Sequence, residues 1–189
     1  MERTGVQKLA AALKVLVTIT FVCNLIALLL VPGMSMMKGP EELLALTPYE
    51  NPLEVPLRVG IAFALSWVWV WTAGVYEVVL ALFLLFCGVC TAVVLWQSRR
   101  VLDTVLEGLP FQEKNSRSLR RSAVCSFLIS AAALVRLIWG LAYYGGIGPL
   151  LTYNALFVPV FFMAGLLCLV MSALFRQAAE LKADNDLTI

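Results

Sequence analysis

The sequence contains no histidine. That absence removes the side chain most often used as a general base near neutral pH, and the commonest ligand for transition metals. Charge is scarce as well. Asp, Glu, Lys and Arg make up 14% of the 189 residues, against about 25% in soluble domains. With 61% of residues hydrophobic and a mean hydropathy of +0.90, too little polar surface remains to cover a water-soluble fold. The net charge of +2 gives no ground for direct nucleic-acid binding. There is no extracellular disulfide pattern either: Cys23, Cys87, Cys90, Cys125 and Cys168 lie within or beside apolar runs, where cysteine acts as a small hydrophobe. No phosphate loop, nucleophile–base pair or metal box is visible, so no catalytic, cofactor or metal residue is assigned. The chain reads as an integral membrane protein of about one domain's length.

What is present is organised around one polar interval, Gln97 to Ser122. It carries Arg99, Arg100, Lys114, Arg117, Arg120 and Arg121 against Asp103, Glu107 and Glu113. A Lys/Arg-rich loop between membrane segments stays in the cytoplasm, which orients the rest. The first apolar run, Leu9 to Val31, follows Arg3 and Lys8. It is longer than a signal-peptide core and lacks a small-x-small cleavage site, so it is read as an uncleaved helix. Lys14 lies one to two turns inside it and is expected to snorkel to the interface. Pro32-Gly33 is expected to end the helix. The following outer segment is rich in proline and biased acidic, with Glu41, Glu42, Glu50 and Glu54.

Leu57 to Trp96 is almost uninterrupted apolar sequence, twice the length of one crossing, with no turn signal between its halves. Large residues alternate with small ones from Leu57 to Thr72, and period two with aromatic enrichment reads as a strand. Such a strand would rest at the outer interface, because unpaired backbone cannot sit in lipid. The alternative is a long helix beginning near Gly60. The apolar stripe Val101, Leu102, Val105, Leu106 and Leu109 continues a helix beyond Arg100, with Gly108 as its stop and Asn115 or Ser116 capping the next. Pro159 is expected to kink the last helix or lie in its outer turns. The expected fold is all-α: a bundle of four transmembrane helices at about 8–31, 73–96, 118–143 and 151–175. An outer loop at 32–72 carries the short β element. The linker 97–117 and the tail 176–189 are cytoplasmic, the latter helical to about Lys182, and both termini lie inside.

Glu77 and Arg136 are the sharpest candidate pair. At 1.5 Å per residue they lie within roughly 5 Å of the same depth. Intramembrane charges usually pair or line a polar site, so both an ion pair and a ligand site are open. Cys87-x-x-Cys90 places two thiols on one helix face, yet mid-helix in lipid offers nothing to favour a thiolate. The basic linker suits anionic lipid head groups, and Phe111 beside Pro110 suits a membrane anchor or a docking point.

Two stretches carry a family resemblance: Glu107 to Asn115, with Gly108, Pro110, Phe111 and Asn115 in a G-x-P-F-x-x-x-N pattern, and the ending Asn185 to Ile189. With four hydrophobic segments, the chain resembles a bacterial family of small membrane proteins of unknown function that includes the YoaS-like proteins. It departs at Ala183-Asp184, where relatives often have an acidic pair. The resemblance implies the bacterial cytoplasmic membrane and a gene neighbourhood shared with a helix-turn-helix regulator. The leading functional expectation is a non-enzymatic, regulatory or partner-binding membrane protein, engaging the bilayer and a protein partner or a second copy. The alternative is a transport-associated or ligand-sensing protein with a polar site near Glu77 and Arg136.

Overall fold

The computed structural model describes residues 5–36, 54–109 and 111–186. Helix α1 covers Gly5–Met36, α2 Glu54–Trp69, α3 Val75–Leu106, α4 Glu113–Tyr144 and α5 Tyr153–Asp186. Short 3-10 turns at Val70–Thr72 and Gly148–Leu151 precede α3 and α5. Helices α1, α3, α4 and α5 are each long and apolar enough to cross a membrane, so the fold is that of a multi-pass helical membrane protein. The four expected crossings are present. Helices α3 and α4 have 32 residues each, about 48 Å, while a hydrocarbon core is about 30 Å thick. A turn or more of each therefore projects beyond lipid.

The expected β element at 57–72 is overturned: these residues form α2 and its 3-10 turn, and no strand occurs among the described residues. The reason is the one that limits strands in lipid. Without a partner strand, apolar backbone satisfies its N–H and C=O groups only within a helix. Even the Ser66 hydroxyl turns back, donating to the Phe63 carbonyl at 2.6 Å. The alternation of large and small residues is composition, not periodicity of burial. The helix also starts six residues before Gly60. The break that the sequence hides lies at Ala73-Gly74, where Ala73 is extended (φ −72°, ψ 178°). Glu77 sits in the first turn of α3, and its carboxylate folds back over Gly74, close enough that a Cβ there would lie 2.5 Å from Oε2. An acid in that place complements the exposed N–H groups and dipole of a helix start.

Pro32-Gly33 does not end α1, which runs on to Met36. Pro32 removes one backbone donor, a loss that membrane helices tolerate where neighbours pack closely. Gly33 provides that closeness, since a Cβ there would overlap the Phe63 ring.

The chain forms two compact units. One spans residues 25–88 and is cored by Val31, Val70 and Ala81 with Leu84 and Leu85 against them. Within it the Trp67 indole donates to the Leu29 carbonyl at 3.0 Å. The other comprises residues 1–24 and 89–189. Its backbone is the antiparallel pair α4–α5. The Ser116 and Ser172 hydroxyls lie 3.0 Å apart, Ser130 donates to the Val158 carbonyl at 2.8 Å, and Arg136 donates to Asn154 Oδ1 at 3.2 Å. Small residues let the helices approach. A Cβ at Gly165 would stand 2.8 Å from Phe127 Cε1, and the Phe127 ring lies edge-on to Phe162 at 5.6 Å. In the same unit α1 and α3 meet through the Phe21 and Trp96 rings, 5.9 Å apart. The helix α5 extends past Lys182 to Asp186, with Pro159 in its first turns.

Candidate functional site

The polar interval folds into the ends of α3 and α4. Helix α3 closes with a Schellman turn: Leu109 N–H donates to the Thr104 carbonyl at 3.0 Å and Gly108 N–H to that of Val105 at 3.1 Å. The turn needs Gly108 in the left-handed region, at φ 76°, which glycine enters without a Cβ penalty. The connection is then short, and α4 starts at Glu113.

Asn115 and Ser116 do not cap α4. Gln112 occupies that position without a side-chain bond, and Asn115 already lies within the first turn. It is 1% exposed and turns inward, donating from Nδ2 to Thr104 Oγ1 at 2.6 Å. Thr104 in turn donates to the Val101 carbonyl at 2.7 Å. A buried amide needs such a partner, so α3 and α4 are held in register here by a polar contact. A third helix joins the same region. Lys14 Nζ on α1 lies 2.6 Å from Asp103 Oδ1, with side chains 36% and 41% exposed, and Gln7 Nε2 donates to the Leu106 carbonyl at 3.4 Å. At that exposure the ion pair contributes about 1 kcal/mol. Its larger effect is to neutralise Asp103.

These contacts frame a cavity of about 190 Å³ lined by Arg100, Asp103, Thr104, Glu107, Lys114, Asn115 and Ser118. Thr104, Asn115 and Ser118 are buried and form a neutral floor, while Arg100, Glu107 and Lys114 are exposed and form a charged rim. The rim begins at Arg100, four residues past Trp96, where the apolar run of α3 ends.

Of the residues singled out in the sequence, Gly108 and Asn115 build this end. Phe111 stands on its outside, 50% exposed, with its ring 5.9 Å from that of Phe175. Pro110 lies outside the described residues. Arg136 is bonded to Asn154, and Glu77 belongs to the other unit, in the first turn of α3. All five cysteines are free thiols. Among the described residues no group of three or more Cys, Asp or Glu is placed to hold a metal.

The sequence carries one signal of the cavity: Arg100, Asp103, Thr104 and Glu107 recur at i, i+3, i+4 and i+7, one helical face, beside the more conspicuous apolar stripe. Nothing local marks Lys14 as the partner of Asp103.

Fold and site together define a multi-pass helical membrane protein with a polar cavity at one end of its spans. The chain belongs to the family described as protein of unknown function (DUF2975), whose model matches residues 50–189. No curated protein and no solved structure matches the chain. The matched stretch contains α2 to α5 and the cavity, but not Lys14.

Proposed function

We propose that this is a non-enzymatic regulatory protein of the bacterial cytoplasmic membrane, with both termini and the α3–α4 connection in the cytoplasm, and that the connection docks a protein partner. One observation carries the reading. Leu109 and Phe111 are 43% and 50% exposed, yet they lie between the candidate spans that end at Leu106 and begin at Glu113. They lie beyond Trp96, where the apolar run of α3 ends, among Arg99, Arg100, Lys114 and Arg117, and Leu109 is held by the Schellman cap. Exposed apolar side chains on a polar base suit recognition. The basic residues around them support the orientation, and the motif Gly108, Pro110, Phe111 and Asn115 supports kinship with the YoaS-like members. On that kinship, a helix-turn-helix regulator is the first partner to test.

A second reading, a ligand-sensing protein, draws on Arg136, whose guanidinium is held by Asn154 inside the spans. One experiment separates the two. The tagged protein is purified from native membranes in lipid nanodiscs, as wild type, Phe111→Ser and Arg136→Gln. A defined protein that is lost with Phe111→Ser and kept with Arg136→Gln supports docking at the connection. A small molecule lost only with Arg136→Gln supports the second reading. If Phe111→Ser retains every protein that the wild type retains, the docking reading is wrong.

A further inference from the structure

The cavity between α3 and α4 differs from the docking surface in chemistry, and its ligand class can be argued separately. Among the described residues Arg100, Glu107 and Lys114 take part in no ion pair, whereas Asp103 is already matched by Lys14. The open charges are thus two cations against one carboxylate, a net of one positive. Ser118 on the floor is 6% exposed, and its hydroxyl has no hydrogen-bond partner among the described residues. Ser118 lines the cavity, so a ligand there can bond to it. Lys114 and Asn115 stand in the first turn of α4, where the positive end of the helix dipole favours an anion.

Size narrows the class. The volume of about 190 Å³ is about six times the ~30 Å³ share of a liquid water, and below the ~300 Å³ at which drug-sized sites begin. That suits a phosphate with a few attached polar atoms.

We infer that this cavity binds the phosphate ester of a small polar alcohol, with Arg100 and Lys114 on the phosphate and with Asn115 and Ser118 on the alcohol's hydroxyl groups. Its depth at the end of the apolar run points to a lipid head group, and the same chemistry would also take a soluble phosphate ester. The inference does not rest on the docking reading, because it uses different side chains.

The test uses the full chain in nonionic detergent with three probes: dihexanoylphosphatidylglycerol, glycerol 3-phosphate, and dihexanoylglycerol, which has no phosphate. Affinities are measured by calorimetry. At least one phosphate-bearing probe should bind and dihexanoylglycerol should not. Binding of the lipid alone assigns the source to a head group, and binding of glycerol 3-phosphate alone assigns it to a soluble ester. Arg100→Gln and Lys114→Gln should each weaken binding about fivefold. Glu107→Gln should tighten it about twofold by removing a like charge, a sign that general damage to the fold would not produce. These three residues are exposed on the rim, so the variants should melt with the wild type. The inference is overturned if neither phosphate probe binds, if dihexanoylglycerol binds equally, or if affinity is indifferent to Lys114→Gln and Glu107→Gln.

Discussion

Asn115→Asp is expected to destabilise the protein by about 3 kcal/mol or more at neutral pH, the range for leaving an uncompensated charge in a buried place. The position is 1% exposed. The amide reaches Thr104 Oγ1 as a donor at 2.6 Å, and that hydroxyl has committed its proton to the Val101 carbonyl. A carboxylate there would face an oxygen lone pair. Thr104 can relieve this only by abandoning Val101. Burial raises the pKa of such a carboxyl in the folded state above its unfolded value. The sign follows: the native state is favoured below the unfolded pKa, near 3.9, and the advantage is lost as pH rises through the folded value. Thermal unfolding in detergent should therefore show Asn115→Asp close to wild type near pH 4 and well below it at pH 8. Asn115→Leu, which carries no charge, should lose about 1–2 kcal/mol with no such pH dependence. If Asn115→Asp melts with the wild type at pH 8, the Thr104–Asn115 contact does not hold α3 and α4 in register.

Gly165→Val should cost about 1–3 kcal/mol by overpacking. The new Cβ would stand 2.8, 2.9 and 3.0 Å from three atoms of the Phe127 ring, and real Cβ contacts almost never come so close. The ring cannot simply swing away, because Phe162 flanks it edge-on at 5.6 Å. Gly88 makes a useful contrast. A Cβ there would approach Leu28 Cδ2 at 2.5 Å, but a leucine tip can rotate, so Gly88→Ala should cost less. The check is a double-mutant cycle. Phe127→Ala opens the space that Gly165→Val needs, so the double variant should be more stable than the sum of the two singles predicts. Strict additivity would mean that α4 and α5 do not meet at these residues.

How much was legible from sequence depends on which physical rule was acting. The four crossings followed from length and composition, because lipid demands long apolar helices and little else competes. Gly108 was legible as a stop because a left-handed residue leaves a mark in residue type. The stretch from Leu57 to Thr72 was not. A helix in lipid does not have to segregate large from small residues, so an accidental alternation mimicked a strand. Asn115 reads as a cap by residue type, yet the cap position falls three residues earlier, at Gln112, and the amide turns inward. Burial of that kind depends on Thr104, eleven positions away, and no local pattern encodes it. Glu77 and Arg136 match in depth alone. Arg136 has Asn154 as a partner, and Asn154 carries no charge to reveal it. The cavity needed two faces at once, and only one helix shows its face as a readable period.

The Lys14–Asp103 contact bears on where this protein can be cut. The family model begins at residue 50, which invites treating the part after it as a self-contained module. A chain begun there would keep the whole cavity lining, yet Asp103 would lose its cation and the Leu106 carbonyl its bond from Gln7. The open charges at the rim would shift from a net of one positive to neutral, with a carboxylate now free to repel any anion. The stretch that relatives share and the stretch that sets the electrical character of the site are therefore not the same. Two members alike from α2 onward would differ in what they admit according to the single residue that their first helix places opposite that aspartate.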